Sequence, residues 1–91
     1  MSNYIVFPEQ HELAKFFGVT LKSSSQKRKK IDVFKNDELL CSIGAINFED
    51  MYQMRARGED KEIINEKKEK YRRRHQYKNS DEAYFSIRLL W

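Results

Sequence analysis

Two clusters of basic residues are the part of this sequence whose residue types and spacing could do chemistry. Ammonium and guanidinium groups bind phosphate oxygens, and nearby serine hydroxyls can donate hydrogen bonds to the same oxygens. The first basic cluster, which follows Ser23, Ser24 and Ser25, consists of Lys27, Arg28, Lys29 and Lys30; the second consists of Lys67, Lys70, Arg74 and Lys78. Both clusters predict contacts with the phosphate backbone of a nucleic acid and little readout of its bases.

The second basic cluster can place its cations on one side of a helix. Residues three and four apart share a helix face, so Lys67, Lys70 and Arg74 form one stripe and Lys78 follows it. Cations near the end of a helix also complement its dipole, but this explains one or two of the charges and not the whole block. For the first basic cluster, a solvated loop or a nuclear-localisation-like run explains the residues equally well.

The charges of the chain lie in blocks of opposite sign. The 91 residues include 18 basic and 14 acidic ones, which gives a net charge of +4. Residues 19–36 and 61–79 each sum to +5, whereas residues 37–60, between them, sum to −4. The clustering of positive charge favours a polyanion as the partner. The low net charge and the acidic block favour the alternative, in which the basic residues contact acidic surfaces of another protein.

Residue patterns typical of catalysis or metal binding are sparse. The two histidines, His11 and His75, lie far apart, and Cys41 lies in an apolar run, which favours a structural thiol. The three glycines are isolated and form no phosphate-binding loop. A pairing of Cys41 with a histidine, or of carboxylates in the acidic block, stays formally open, and a small nuclease using His75 is the third hypothesis. We predict a protein that is not an enzyme and has no catalytic residues, no metal site and no cofactor.

The sequence carries signals of location as well. A single cysteine cannot form an intramolecular disulfide, which fits a reducing compartment. No apolar run approaches the roughly 18 residues that span a bilayer, and the first residues lack the charged and apolar regions of a signal peptide. We predict an intracellular protein without a membrane span.

We expect an α+β fold to position the basic clusters. Residues 19–91 are predicted to form one small domain. Residues 1–18 are predicted to form an N-terminal extension that contains a short helix. Residues 31–34 and 39–43 predict a β-hairpin about the turn Asn36-Asp37, with residues 19–22 as a candidate third strand and Ser23 to Lys30 as a turn or exposed loop. Helices are predicted over residues 9–17, 48–56 and 61–76. The second of these helices begins after Asn47 as its N-cap, and Asp60 is the candidate cap of the third. A last element starts at Asn79 or Ser80.

The aromatic residues of the last third are predicted to serve packing. Tyr71 continues the narrow apolar seam of Ile64 and is expected to anchor the core rather than to stack on a nucleic-acid base. The last residues are too apolar to remain in water, so they must fill the core or pack on a partner. They include Tyr84, Phe85, Ile87, Leu89, Leu90 and Trp91.

Residues 21–91 resemble a known family. The matching motifs are Lys29-Lys30, Ser42-Ile43-Gly44-Ala45, Phe48-Glu49-Asp50, Tyr71-x-x-Arg74-His75, Ala83-Tyr84-Phe85-Ser86 and Leu89-Leu90-Trp91. They resemble a family of small, basic proteins of unassigned function that large DNA viruses of eukaryotes, the nucleocytoplasmic group, encode. The family often continues past the tryptophan with a short tail containing Lys-Pro, which this sequence lacks, and the region from Gly58 to Tyr71 is longer and more acidic here.

The resemblance implies a viral source and a non-enzymatic role in the host cytoplasm or nucleus, or in the virion. It assigns no role to individual residues. Two main hypotheses follow: a nucleic-acid-binding protein, and a minor structural or assembly protein of a virion that acts through protein contacts. The oligomeric state stays open.

Overall fold

The fold described here comes from a computed structural model that describes residues 3–75, 78 and 80–91. Within these residues the elements are α1 (Pro8–Phe16), β1 (Thr20–Ser23), β2 (Lys29–Lys35), β3 (Glu38–Ala45), α2 (Met51–Ala56), α3 (Lys61–His75) and α4 (Asp81–Leu89). The strands form one antiparallel sheet in the order β1-β2-β3. The α+β class and the third strand are therefore confirmed.

The chain divides into two compact units, Met1–Phe48 and Glu49–Trp91. The first unit contains α1 and the sheet, and the second contains α2, α3 and α4. The first basic cluster belongs to the first unit, and the second basic cluster belongs to the second. The domain bounds expected from the sequence, with an extension over residues 1–18, stay predictions.

The β2–β3 hairpin turns at the residues that the sequence indicates. Asn36 and Asp37 both have positive φ, 52° and 64°, which is the backbone that a two-residue type I′ turn requires. Lys35 pairs with Glu38 directly beside the turn. The register then shifts between Val33 and Phe34. The predicted hairpin is confirmed.

The core of the first unit lies on one face of the sheet. Strand side chains alternate between faces, and the pairing sets Leu21 opposite Val33 and Ile31 opposite Ile43 on the same face. All four side chains are buried. The segment before β1 adds the buried residues Tyr4, Val6, Ala14 and Val19, and α1 contacts β1. Residues 4–19 therefore contribute to the same core as the strands.

Helix α2 begins three residues later than the sequence analysis expects. Asp50 is its N-cap: the Asp50 carboxylate accepts from the Gln53 N–H at 2.9 Å, and Gln53 Oε1 accepts from the Asp50 N–H at 3.1 Å. This reciprocal capping box satisfies two backbone donors, which the predicted cap at Asn47 would not do. The predicted start at Phe48 is wrong, and the Phe48 side chain is 72% exposed.

Helices α3 and α4 begin at predicted capping residues. Asp60 Oδ1 accepts from the Glu62 N–H at 2.9 Å, and Ser80 Oγ accepts from the Ala83 N–H at 3.2 Å. The alternative start at Asn79 and the predicted end of α3 at Gln76 lie outside the described residues. Buried residues in this unit are Asp50, Met51, Tyr52, Met54, Ile64, Ala83, Phe85, Ser86, Leu89 and Leu90. The Met51 N–H donates to the Leu90 carbonyl at 3.1 Å, which joins the start of α2 to the end of α4.

Candidate nucleic-acid interface

Asp32 organises the turn that carries the first basic cluster. Its carboxylate is 4% exposed and accepts hydrogen bonds from Ser24 Oγ and Ser42 Oγ, each at 2.6 Å, and from the N–H and Oγ of Ser25 at 3.1 and 3.2 Å. Burial alone raises the pKa of Asp32, but these hydrogen bonds lower it further than burial raises it, so the pKa lies below its ordinary value. A charged carboxylate thus holds the β1–β2 turn against the sheet.

The serine hydroxyls of this turn serve the fold. Ser23 Oγ donates to the Tyr4 carbonyl, while Ser24 and Ser25 donate to Asp32. The expectation that these hydroxyls donate to phosphate oxygens therefore competes with hydrogen bonds inside the first unit. Lys27 and Arg28 are exposed at the tip of the turn, which makes them its cations best placed to meet a polyanion.

Lys29 and Lys30 belong to strand β2 rather than to an exposed loop. The Lys29 side chain is half-buried, and Lys30 is only 2% exposed. The Lys30 ammonium donates to the Phe48 carbonyl and lies 5.4 Å from the centroid of the Tyr4 ring. Lys30 is therefore not part of an exposed basic surface, because its charge is held inside the first unit.

Replacing Lys30 with methionine tests this structural role. Methionine keeps the length of the side chain and removes the donor to Phe48, so we expect the free energy of unfolding to fall by about 1–2 kcal/mol. Urea denaturation gives this value. The exposed neighbour provides the control, since Lys27→Met should stay within about 0.5 kcal/mol of the original protein. An unchanged stability for Lys30→Met would show that its buried ammonium contributes little to the fold.

Three members of the second basic cluster lie on one side of α3. Lys67, Lys70 and Arg74 are all exposed, and we call them the α3 stripe. Lys70 pairs with Glu66 at 3.2 Å, but both side chains are about two-thirds exposed. Such surface pairs contribute little to stability, so a phosphate can replace the carboxylate. Lys78 is exposed beyond the end of α3, where its N–H donates to the His75 carbonyl at 3.1 Å, so it does not continue the helical stripe.

Aromatic rings stack beside this stripe, in a contact that the sequence analysis does not predict. The Tyr71 ring stacks on His75, with centroids 4.0 Å apart, and on Trp91, with centroids 5.0 Å apart. All three side chains are half-buried. We call them the aromatic stack. The spacing of Tyr71 and His75 by four residues on one helix is the local signal for half of it.

Cations also lie on the other side of the aromatic stack. Arg72 Nη2 donates to the Trp91 carbonyl at 3.4 Å. Lys68 is half-buried, and its pKa is lowered by burial and then by the positive charges of Arg72 and Arg55. Lys68 and Arg72 therefore place positive charge on this side of the aromatic stack.

The acidic residues of the second unit are partly neutralised within it. Arg57 Nε lies 2.6 Å from Glu49 Oε2, and Arg57 Nη2 lies 2.8 Å from Glu59 Oε2. The hydrogen bond with Glu49, which has the larger effect, and the one with Glu59 raise the pKa of Arg57 above its ordinary value. Arg57 thus neutralises part of the acidic block, which leaves less negative charge to offset the cations of α3.

A cleft of about 410 Å³ lies in the second unit between the end of α3 and α4. His75, Lys78 and Arg88 line it, together with Tyr84. The Arg88 guanidinium lies 3.5 Å from the centroid of the Tyr84 ring. The cleft therefore combines cationic and aromatic side chains with one carboxylate, that of Asp81. His75 belongs both to the cleft and to the aromatic stack.

Other kinds of site find less support in the part of the chain that the structure describes. Its histidine, cysteine and acidic side chains form no group of three or more that could hold a metal ion. None of its helices is both long enough and apolar enough to cross a membrane.

Comparison of the chain with protein-family models, with curated proteins and with solved structures finds no match.

Proposed function

We propose that this protein binds nucleic acid through its phosphate backbone, without sequence specificity and without catalysis. The observation that carries this proposal is the concentration of charge on α3. This helix has seven Lys and Arg residues and three Glu, a net charge of +4, which equals the net charge of the whole chain. A helix with such an excess attracts polyanions more strongly than the modest total charge suggests.

The exposed cations of α3 are spaced for contacts with the phosphate backbone of a nucleic acid. Lys67, Lys70 and Arg74 recur on one side of the helix, and consecutive turns of a helix are about 5.4 Å apart along its axis. Flexible side chains on such a row can each reach a phosphate of a strand that runs along the helix. In the first unit, Lys27 and Arg28 offer a second, smaller contact, with Lys29 beside them.

The resemblance to the viral family supports a proposal about where the protein acts. A small basic nucleic-acid-binding protein of a large DNA virus would act in the host cytoplasm or nucleus, or within the virion. The second candidate function is a minor structural or assembly protein of the virion. The observation that favours it is the exposure of Phe16, at 86%, and Phe48, at 72%, two large apolar side chains of the first unit that a contact with another protein would remove from water.

Fluorescence anisotropy with labelled oligonucleotides over a salt series tests the proposal. We expect the logarithm of the association constant to fall linearly with the logarithm of the salt concentration, with a slope of roughly −3 if three to four phosphates are neutralised. Oligonucleotides of different sequence should bind within about twofold of one another. Absence of binding at the lowest salt concentration would reject the proposal and favour the assembly protein.

A further inference from the structure

The aromatic stack has the composition of a platform for an unpaired base. Tyr71, His75 and Trp91 present nearly parallel rings, with interplanar angles of 19° and 22° at Tyr71. Proteins that bind single strands combine such rings with a cationic path for the backbone, because every base has a flat face that can stack. In a duplex the bases are already stacked on one another and this contact is lost.

Cations flank the aromatic stack on both sides. Successive residues of a helix are about 100° apart around its axis, which sets Tyr71 and His75 between two rows of basic residues. One row is the α3 stripe, and the other contains Lys68 and Arg72. A strand whose bases meet the rings would thus have its phosphates close to positive charge.

The position of Trp91 makes it the ring best placed to meet a base. It packs on Tyr71 through a ring stack and retains exposed surface as a half-buried side chain. The hydrogen bond from Arg72 to the Trp91 carbonyl sets a guanidinium beside the backbone of this residue.

We propose that the preferred ligand of this surface is single-stranded nucleic acid and that Trp91 stacks on one of its bases. This inference rests on the proposed function, because it identifies which form of nucleic acid, single-stranded or duplex, the basic surface of α3 binds. It adds base stacking to phosphate contacts, without sequence readout. At the other end of the aromatic stack, His75 lines the cleft together with Lys78, Tyr84, Arg88 and Asp81, and the two cations of this cleft can meet the phosphate of a neighbouring nucleotide.

Intrinsic fluorescence reports the contact directly, because Trp91 is the only tryptophan of the chain. The full chain is titrated with oligo(dT), with a duplex of the same length, and with an abasic oligonucleotide that has the same phosphates without bases. We expect saturable quenching by oligo(dT), little quenching by the duplex, and an affinity for the abasic strand that is about tenfold weaker than that for oligo(dT).

The three ligands separate the two proposals. If the abasic strand binds as tightly as oligo(dT) and oligo(dT) leaves the fluorescence unchanged, base stacking is overturned while phosphate binding stands. If none of the ligands binds by anisotropy, both proposals fail together.

Two variants give a second readout that does not depend on tryptophan emission. By anisotropy, Trp91→Ala should bind oligo(dT) about tenfold more weakly and bind the duplex as the original protein does, whereas Trp91→Phe should retain most of the affinity for oligo(dT). Equal losses for oligo(dT) and the duplex in Trp91→Ala would overturn the assignment of Trp91 to a base.

Discussion

Replacing Asp32 with asparagine is expected to lower the free energy of unfolding by about 3 kcal/mol. The carboxylate is buried and accepts hydrogen bonds from Ser24, Ser25 and Ser42. Asparagine has almost the same shape, but it removes the charge and turns one acceptor into a donor that faces other donors. Hydrogen bonds to a charged group are the stronger kind, so their loss is costly. Urea denaturation followed by circular dichroism measures the change.

Asp37 provides a matched control in the same sheet. It is exposed in the β2–β3 turn with a φ of 64°, a backbone conformation that asparagine also tolerates. Asp37→Asn therefore removes one negative charge without breaking a buried network, and its effect should stay within about 0.5 kcal/mol. A similar loss in both variants would mean that the change in net charge, rather than the serine network, causes the destabilisation.

The same network predicts how stability depends on pH. The pKa of Asp32 in the folded protein lies below its ordinary value of 3.8, so its contribution is fully present above that value. As the pH falls, the unfolded chain takes up the proton first, and the contribution is lost once the pH has passed the folded pKa. The difference in stability between the original protein and Asp32→Asn should therefore narrow below about pH 4. A difference that widens with acid would contradict this.

The sequence predicts the elements that depend on neighbouring residues. The turn at Asn36-Asp37 and the caps at Asp60 and Ser80 follow from residue types within a few positions of one another, and all are present in the structure. At α2 two candidate caps compete, and the decisive partner is Gln53, three residues after Asp50. The capping box of Asp50 and Gln53 is therefore a local pattern, and it predicts the cap better than the single polar residue Asn47 does.

Contacts between distant residues account for what the sequence does not predict. The run of four basic residues from Lys27 to Lys30 looks uniform, but Lys30 is buried, and its ammonium donates a hydrogen bond to the Phe48 carbonyl, 18 positions away. Trp91 meets Tyr71 across 20 positions, and no local pattern indicates that pairing. The α3 stripe differs from both, because its alignment follows from the helical period alone.

The α3 stripe is expected to provide most of the affinity for nucleic acid. Replacing Lys67, Lys70 and Arg74 together with glutamine keeps residues that favour helix and removes three charges. We expect the association constant for a labelled oligonucleotide to fall about 100-fold at 0.1 M salt, and the salt slope to become shallower by about 2 to 3. The lower affinity and the shallower salt slope have the same cause: each phosphate that the protein no longer contacts keeps its counterions.

A second triple variant separates local contacts from net charge. Lys15, Lys22 and Lys35 are exposed cations outside both basic clusters, and their replacement by glutamine changes the net charge of the chain by the same amount. If binding depends on the arrangement of cations on α3, this variant keeps its salt slope and most of its affinity. Equal losses in the two variants would mean that any three surface cations serve as well, and the α3 stripe would then no longer count as the binding surface.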